Sequence, residues 1–430
     1  MGKNKESGVN LKIFVIAAIL AALASSFIVF LVILKPNELL TQTSRMETIE
    51  SPNFINIDFN KIEFGTAIDQ EKKLAKLLTD VPKGVEPLKI LHLGDSHVQA
   101  DVFTGETRRL LATWFKDEHP VRGFTFPYSI IGSNNPDDYE VTFQGKWIRD
   151  TNIRNIGMAG IAITTIDPTS EFTLRLKPDV ENQKFDRVKI HFEANDSSIF
   201  PLTRKEWQTN QRQTHSATYQ MAEPSNEVTI GFDWGKSNSG YVRLLGIDLI
   251  NSKSKVIYNA AGVNGASVST FLQSESIIRQ ISDANPHLVI ISLGTNDSYN
   301  PQFCPISFGE NLQNLIQRVR KTLPNIIIIL STPGDHLINR NKPNPSIELA
   351  REQIIKVAAE LGCGVWDFHS AMGGTGSINS WADNGFSAPD RLHLNRKGYK
   401  FKGAMLFDAL YKLTGEKSIL VKINPTSTDD

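Results

Sequence analysis

Cysteine is scarce in this sequence. Only two cysteines occur among the 430 residues, Cys304 and Cys363. A small disulfide-stapled fold needs several cysteines, and a zinc knuckle or a redox pair needs two of them a few residues apart. Neither pattern is present, so the stability of the protein must come from buried apolar cores. The sequence leaves open whether these two thiols pair with each other.

An excess of charge of one sign is also missing. The chain has 46 Lys and Arg residues against 46 Asp and Glu residues, and 40% of its residues are hydrophobic. A nucleic-acid binder has a basic excess, and a disordered chain has few apolar residues. The composition therefore predicts a globular protein with no nucleic-acid partner.

Several catalytic signatures are absent as well. The sequence contains no H-E-x-x-H pair for zinc and no Walker loop for nucleotide phosphates. The residue two after Ser96 is Val98, so the G-x-S-x-G turn of the ordinary α/β-hydrolases is missing too. Metalloproteases, nucleotide hydrolases and ordinary α/β-hydrolases are therefore unsupported classes.

One long hydrophobic run stands near the N-terminus. Residues 13–34 are 22 residues without a charge, which as a helix would be about 33 Å long and match a bilayer core. Lys3, Lys5 and Lys12 precede the run, so we expect residues 1–12 to stay cytoplasmic and the rest to face the periplasm or exterior. The alternative is a cleaved secretory signal with an A-x-A site at residues 22–24. The eight apolar residues beyond that site favour an uncleaved single-pass anchor.

At 430 residues the chain exceeds the size at which a single core stops growing, so at least two folded units are expected. The predicted divisions are residues 1–12 (cytoplasmic N-terminus), 13–34 (transmembrane anchor), 35–85 (linker and short helix), 86–122 (first part of an α/β domain), 123–252 (inserted β-module), 253–415 (second part of the α/β domain) and 416–430 (tail).

Apolar runs of strand and helix type alternate in the two α/β parts, which indicates a parallel sheet covered by helices. Predicted strands are 88–93, 255–258, 288–293 and 326–330, and predicted helices are 67–78, 101–115, 269–281, 308–323 and 347–361.

The hydrophobicity pattern of the sequence changes between residues 123 and 252. Short runs of alternating polarity at 139–144, 172–176, 187–193, 227–232 and 241–250 favour an antiparallel β-sandwich inserted into a loop of the α/β domain. Such a module can bind a ligand or be purely structural. Trp147, Trp207 and Trp234 fall within it, and burial in the sandwich is a better expectation for them than stacking on a sugar.

Ser96 follows the first predicted strand and precedes a helix. Open α/β sheets place their ligands at this position, and the helix N-terminus can stabilise an oxyanion. A nucleophilic serine needs a base and an acid that orients the base. Asp390 and His393 can supply them, because three residues of separation let the carboxylate turn back onto the imidazole.

Two loops at the ends of predicted strands can supply oxyanion donors. Gly265 lies in a Gly-rich stretch and would let a backbone N–H approach substrate closely. Asn296, in Gly-Thr-Asn-Asp, carries a neutral side-chain donor. Taken separately, each feature is also explained by a turn or a helix cap. Their joint occurrence in this chain order is the stronger signal.

Ser96, Gly265, Asn296 and His393 resemble the four sequence blocks of the SGNH (GDSL) hydrolase superfamily. The resemblance implies a flavodoxin-like three-layer fold and ester hydrolysis or acyl transfer without a metal or other cofactor. It also implies that Ser96 is the nucleophile, His393 the base, Asp390 the orienting acid, and Gly265 and Asn296 the oxyanion donors together with the Ser96 amide.

A narrower likeness lies in residues 94–101, in the β-rich insertion and in residues 371–390. These segments look like peptidoglycan O-acetylesterases that carry a carbohydrate-binding-like module inside an SGNH domain. His97 could contact substrate or be a capping residue, and Asp367 and His369 are expected to be structural.

The sequence thus predicts a membrane-anchored serine esterase whose partner is an acetylated cell-envelope glycan. Glycan O-acetyltransferase, lipid or thioester acylhydrolase, and glycan-binding protein remain the alternatives.

Overall fold

Apolar, largely β-branched runs form the strands of the central sheet. The computed structural model describes residues 46–422 except 82, 83, 85, 151, 178–182, 204–206 and 238. The strands, in chain order, are β1 (Ile49–Ser51), β2 (Ile62–Glu63), β3 (Leu88–Gly94), β4 (Gly123–Thr125), β5 (Tyr139–Gln144), β6 (Ile148–Arg149), β7 (Ile163–Thr165), β8 (Glu171–Leu176), β9 (Phe185–Ala194), β10 (Phe200–Thr203), β11 (Gln208–Gln213), β12 (Ser216–Ser225), β13 (Glu227–Asp233), β14 (Val242–Ile250), β15 (Val256–Gly262), β16 (Leu288–Ser292), β17 (Ile327–Ser331), β18 (Leu337–Ile338), β19 (Lys342–Pro343), β20 (Gly364–Trp366) and β21 (Leu420–Lys422).

The helices join these strands and cap their ends. In chain order they are α1 (Ile68–Asp80), α2 (Ser96–Gln99), α3 (Val102–Phe115), α4 (Val268–Leu272), α5 (Glu275–Ala284), α6 (Thr295–Tyr299), α7 (Pro305–Thr322), α8 (Ser346–Leu361), α9 (Phe368–Ala371), α10 (Ser377–Asp383) and α11 (Arg396–Lys412). Single 3₁₀ turns are formed by Ile57–Phe59, Tyr128–Ile131 and Ile153–Asn155.

The central sheet has the strand order β15-β3-β16-β17-β20-β2. The first five strands are parallel and β2 is antiparallel to β20. Numbered along the chain, the parallel strands run 2-1-3-4-5, which is the flavodoxin-like order. Helix α3 packs against α11, while α7 packs against α8, α4 and α5. This is the mixed α/β fold that the alternating sequence pattern predicts.

A buried histidine ties the three strands nearest the sheet's switch point. His92 in β3 is completely buried, and its Nδ1 lies 2.7 Å from the Tyr258 hydroxyl of β15 while its Nε2 lies 2.7 Å from Ser292 Oγ of β16. Burial, followed by the charge of Lys402, lowers the pKa of His92 to about 3. The ring is therefore neutral and acts as a polar cross-link between strands.

One predicted helix in the second part of the α/β domain is divided in the structure. The sequence predicts one helix over residues 269–281, but the structure has two, α4 and α5. The break falls at Gln273 and Ser274, because the Ser274 side chain accepts a hydrogen bond from the N–H of Ser276 and so caps a new helix. Local serine capping competes here with helix continuation.

Two antiparallel sheets form between β3 and β15. One has four strands in the order β10-β13-β8-β5, and the other follows β11-β12-β9-β14-β7-β6, with β4 also paired to β14. The sheets meet through apolar side chains such as Phe192 and Phe200, whose ring centroids are 5.9 Å apart. Trp207 and Trp234 are buried, and Trp147 packs on Phe172. The sequence analysis missed the β11–β12 hairpin, whose first strand, Gln208–Gln213, contains no apolar residue.

An ion-pair network attaches this β-rich segment to the α/β part. Arg243 in β14 pairs with Asp150 and Glu193 at 2.7 and 2.9 Å. Glu193 also accepts hydrogen bonds from Ser276 and Arg279 of α5, at 2.6 and 2.9 Å. Because one carboxylate serves residues from both parts of the chain, the β-rich segment is held against α5.

The structure also bears on residues that the sequence analysis placed outside the catalytic set. Asp367 forms a two-point ion pair with Arg351 and caps α9, and His369 is buried beside it, so both are structural as expected. Cys304 is exposed, Cys363 is buried, and both are free thiols.

The predicted anchor, residues 13–34, lies outside the described residues. Within the residues that are described, no helix is both long and apolar enough to cross a membrane.

A close backbone approach between β15 and the turn after β3 yields a testable prediction. A Cβ on Gly262 would lie 2.5 Å from the N of Gln99 and 2.7 Å from the O of Asp95, both backbone atoms. We expect Gly262→Ala to lower the free energy of unfolding by about 1–3 kcal/mol, since the backbone must move to admit the methyl group. Urea unfolding monitored by circular dichroism measures this change.

Gly231→Ala is the matched control, because its added Cβ would meet only ordinary contacts, the nearest being Glu171 Cβ at 3.5 Å. Its stability should stay within about 1 kcal/mol of the parent protein. Equal stability losses in both variants would contradict the special role of Gly262.

Candidate active site

The turn after β3 places Ser96 at the carboxyl edge of the parallel sheet. Asp95 precedes α2, and its Oδ1 accepts a hydrogen bond of 3.0 Å from the N–H of His97. A Cβ on Gly94 would lie 2.3 Å from Val98 Cγ2, so only glycine lets the first turn of α2 fold back onto the strand end. Ser96 is the first residue of α2, and its N–H is among those without an intrahelical acceptor.

Three side chains form a continuous hydrogen-bonded chain at this edge. Ser96 Oγ lies 2.9 Å from His393 Nε2, although the two residues are 297 positions apart. His393 Nδ1 lies 2.7 Å from Asp390 Oδ2. This is the geometry of a nucleophile, its base and the acid that orients the base. The structure thus brings together all three residues that the sequence nominated.

The loop from Asp390 to His393 is rigidly held. Oδ1 of Asp390 accepts the N–H groups of Leu392 and His393 at 3.0 and 2.9 Å, and Arg391 between them has a φ of 50°. Burial by itself raises the pKa of Asp390, but the hydrogen bonds from the His393 ring and from these N–H groups outweigh it and hold the pKa below its ordinary value. The carboxylate is therefore ionised and able to stabilise an imidazolium.

The two predicted oxyanion loops lie beside the nucleophile turn. Gly265 has a φ of 80°, and no atom lies within 4 Å of the position that a Cβ would take. Asn296, in α6, donates one Nδ2 hydrogen to the Ala266 carbonyl at 2.9 Å. An amide nitrogen carries two hydrogens, so one remains for a ligand. Three donors, the N–H groups of Ser96 and Gly265 and the Asn296 amide, are thus available at one edge of the sheet.

The loop that carries Gly265 is fixed from both sides. Gln99, at the end of α2, accepts the N–H of Asn264 at 2.7 Å. Asp297, next to Asn296, accepts the N–H of Val268 through its two oxygens at 3.2 and 3.3 Å. Neighbouring residues of the nucleophile helix and of α6 therefore set the position of the oxyanion loop. Its donors are held in place before substrate arrives.

Asp297 ionises in an unusual range. Its pKa is raised to about 6, because burial, helped by the charge of Asp95, outweighs the hydrogen bond from the N–H of Val268. The group that anchors the oxyanion loop therefore changes charge near neutral pH.

His97 lies against the catalytic histidine. Its Nδ1 is 2.7 Å from the Tyr399 hydroxyl, and its ring centroid is 5.1 Å from that of His393. Burial, together with the charges of Lys402 and His393, keeps the pKa of His97 well below its ordinary value. The ring is neutral, so it packs beside His393 without competing for a proton. The residue that caps α2 is Asp95, so the capping role considered for His97 is not the one it has.

A buried lysine lies beneath the nucleophile turn. Lys402 of α11 is 6% exposed, and its Nζ lies 4.6 and 4.2 Å from the ring centroids of Phe103 and Phe368. Burial lowers its pKa to about 8, and attraction to Asp95 limits the fall. Asp95 is also buried, and burial raises its pKa. Each charge compensates the other below the site.

Among the described residues, no cluster of three or more His, Cys, Asp or Glu side chains is arranged to hold a metal ion.

One protein-family model matches part of the chain. The family model of the GDSL-like Lipase/Acylhydrolase family matches residues 216–401. This range includes Gly265, Asn296, Asp390 and His393, and it begins after Ser96. The resemblance to the SGNH (GDSL) hydrolase superfamily is confirmed. The match covers less than half of the chain, and within it the chain is similar to the lipases and acylhydrolases of this family.

One solved structure is similar in fold over most of the chain, and others are similar over a smaller part. A peptidoglycan O-acetylesterase structure matches with a TM-score of 0.70 and 21% identity, over 82% of this chain and 99% of the other. A catalytic mutant of an acetylxylan esterase from Geobacillus stearothermophilus matches with a TM-score of 0.30 and 18% identity, over 39% of this chain and 76% of the other. No curated protein matches the chain.

Sequence reasoning missed the residues that support the SGNH site. Gln99, Asp297, Tyr399 and Lys402 each contact or influence the nucleophile turn or the oxyanion loop. Gln99 and Asp297 stand three and one positions from nominated residues, so their proximity was a usable signal. Tyr399 and Lys402 lie on α11, where only tertiary packing shows which side chains face the site.

The ionisation of Asp297 can be tested through stability. Its ordinary pKa is about 3.9, and the folded-state pKa is about 6, so the folded protein binds this proton more tightly than the unfolded chain does. Stability from this group is therefore present below about pH 4 and lost as pH rises through 6. Asp297→Asn lacks this dependence.

We expect the unfolding free energy of the parent protein, minus that of Asp297→Asn, to fall by about 2 kcal/mol between pH 4 and pH 7. Urea titrations of both proteins across that range measure the difference. Parallel curves for the two proteins would show that Asp297 does not ionise in this window.

Proposed function

We propose that this protein is a serine esterase that removes O-acetyl groups from a cell-envelope glycan, with peptidoglycan as its substrate. The observation that carries the proposal is the chain of hydrogen bonds from Ser96 through His393 to Asp390, at 2.9 and 2.7 Å. Oxyanion donors stand beside it, so the nucleophile, base, acid and charge stabilisation that acyl transfer needs are all present.

In the first step, Ser96 Oγ attacks the acetyl carbonyl carbon while His393 Nε2 takes the hydroxyl proton. The negative charge that forms on the carbonyl oxygen is stabilised by the N–H groups of Ser96 and Gly265 and by the Asn296 amide. His393 then gives its proton to the sugar oxygen, the ester bond breaks, and the sugar hydroxyl leaves. An acetyl group remains bonded to Ser96.

In the second step, water attacks the acetyl-Ser96 carbonyl. His393 takes a proton from this water, the same donors stabilise the second oxyanion, and acetate leaves as Ser96 recovers its proton. Asp390 stays ionised throughout and stabilises the imidazolium in both steps.

The choice of an acetylated glycan rests on two supports. The sequence likeness covers the segment around Ser96, the β-rich insertion and residues 371–390. The structure that matches most of the chain is that of a peptidoglycan O-acetylesterase. At 21% identity this match speaks for the fold, and the substrate is our inference from it.

We also propose that residues 13–34 anchor the enzyme in the cytoplasmic membrane, with the catalytic part on the outer side. The supports are the 22 uncharged residues and the lysines before them. An anchored enzyme of this kind would act on glycan close to the membrane.

The proposed function predicts that the full chain releases acetate from O-acetylated peptidoglycan and from p-nitrophenyl acetate. Ser96→Ala should reduce the rate on both substrates at least about 10³-fold, since the nucleophile is lost. Acetate assay and release of p-nitrophenol measure the two rates, and circular dichroism checks the fold.

Ser282→Ala, a substitution in α5, is the matched control and should keep full activity. Unchanged acetate release by Ser96→Ala would refute the site. Turnover of the small ester without release from peptidoglycan would reject that glycan as substrate. Acetyl transfer to a glycan hydroxyl in place of water would identify an O-acetyltransferase that uses the same residues.

A further inference from the structure

A small polar cavity lies against the turn that carries Ser96. Its volume is about 20 Å³, and Asp95, His97 and Lys402 are among the residues that line it. Asp95 directly precedes Ser96 in the chain and His97 directly follows it. A water molecule needs a cavity of about 10–15 Å³ and at least two polar partners. The cavity therefore has room for one water beside the nucleophile.

One oxygen of Asp95 supplies the first polar partner. Asp95 is 1% exposed, and its Oδ1 caps α2 by accepting the N–H of His97 at 3.0 Å. Its Oδ2 is also buried, and it accepts no hydrogen bond from the residues that the structure describes. A buried carboxylate oxygen is costly to leave without a donor, so a donor placed in the cavity would stabilise the turn.

The ammonium of Lys402 supplies the second polar partner. Lys402 is 6% exposed, and its Nζ lies 4.6 Å from the ring centroid of Phe103 and 4.2 Å from that of Phe368. The ring faces attract the charge, whereas the three N–H bonds of an ammonium call for oxygen acceptors. Attraction to Asp95 opposes the fall in the pKa of Lys402 that burial causes. The lysine and the carboxylate thus act on each other without a direct hydrogen bond to Oδ2.

Three further ionisable groups lie around this lysine. The charge of Lys402 adds to burial in lowering the pKa of His92 and of His97, so both imidazoles are neutral. Asp335 lines the cavity as well, but its Oδ2 accepts the N–H of Ile378 at 2.9 Å, and burial raises its pKa. The carboxylate of the nucleophile turn is therefore the anion that faces the ammonium.

We propose that Lys402 is a positioning residue for the nucleophile turn, joined to Asp95 Oδ2 by one water molecule in this cavity. The proposal rests on the proposed function only for its effect on rate. The water accepts a hydrogen bond from the ammonium and donates one to Oδ2. The Thr295 hydroxyl, which lines the cavity and helps to lower the pKa of Asp95, is a further partner for it. Because the carboxylate stays ionised, Oδ1 remains a strong cap for the helix that begins at Ser96.

Removal of the ammonium should change the charge of Asp95. In Lys402→Met the apolar stem still packs on the two rings, but no cation opposes the desolvation of the carboxylate, so Asp95 takes up a proton. A neutral carboxyl accepts the N–H of His97 less strongly, and Ser96 is then held less precisely. We expect kcat on p-nitrophenyl acetate to fall about tenfold while KM stays within about twofold, since the loss is felt in the transition state.

The double variant Asp95→Asn/Lys402→Met separates a charge effect from simple filling of space. Asparagine caps a helix as well as aspartate does and needs no cation. The double variant should therefore regain at least about threefold of the kcat that Lys402→Met loses. Lys400→Met, an exposed position on the same helix, is the matched control and should keep the kcat and KM of the parent protein. A double variant no faster than Lys402→Met would overturn the proposal.

The pH dependence of these two variants gives a second test. In Lys402→Met the Asp95 carboxyl is protonated at low pH and ionises as the pH rises, whereas the asparagine does not titrate. His393 titrates in both proteins, so its effect cancels in a ratio of rates. The kcat of the double variant divided by that of Lys402→Met should fall between about pH 6 and pH 9. A constant ratio would contradict the role given to the Asp95 charge.

Infrared spectroscopy of the full chain in detergent measures the same ionisation without any substrate. At pH 7 the C=O stretch of a protonated carboxyl should appear in Lys402→Met minus parent, and should be missing from the double variant minus parent. No such band in the first difference would overturn the proposal. Circular dichroism checks that each variant is folded.

A crystal structure of the parent protein tests the water directly. It should show one water within hydrogen-bond distance of both Asp95 Oδ2 and Lys402 Nζ. No water at this position, or a direct contact between the two atoms, would reject the bridge. Absence of ester turnover by the parent protein would count against the proposed function alone, because the infrared and crystallographic results would still decide the role of Lys402.

Discussion

The close approach of Gly262 to the turn after β3 is the constraint on which the site depends. The end of β15 lies so near the backbone of Asp95 and Gln99 that no side chain fits between them. The nucleophile turn and the oxyanion loop are therefore neighbours by backbone contact, before any catalytic side chain is considered. The N–H of Asn264 then donates a 2.7 Å hydrogen bond to the Gln99 side chain, which joins the oxyanion loop to the nucleophile helix. Backbone packing of this kind holds donors where charge develops, which is how a serine site stabilises its oxyanion.

Charge around the site is arranged in layers. The triad lies at the surface edge of the sheet, with an ionised Asp390 behind His393. Beneath it, Lys402 and Asp95 are buried together, and Lys402 also lies against aromatic rings. Beside it, the network around Asp101 joins α3 to the β-rich segment. Buried ions cost solvation free energy, and each here has an opposite partner that offsets this cost.

The β-rich segment contributes to the site indirectly. Its Arg243 and Glu193 fasten it to α5, and its Asp138 pairs with the arginines that contact Asp101. Ser133 accepts a hydrogen bond of 3.1 Å from Gln99. The segment thus supports the end of the nucleophile helix, so it can influence the position of Ser96.

The sequence by itself determined the local features of this protein. The α/β alternation predicts a parallel sheet covered by helices. The serine after β3 and the Asp390–His393 spacing are also readable, because each involves residues a few positions apart. Tertiary structure decided what joins distant positions: the contact across 297 residues between Ser96 and His393, the pairing of His97 with Tyr399, and the burial of Lys402. Hydrophobic periodicity and turn residues describe short stretches of chain. Which side chains face each other across the fold depends on how whole helices and strands pack.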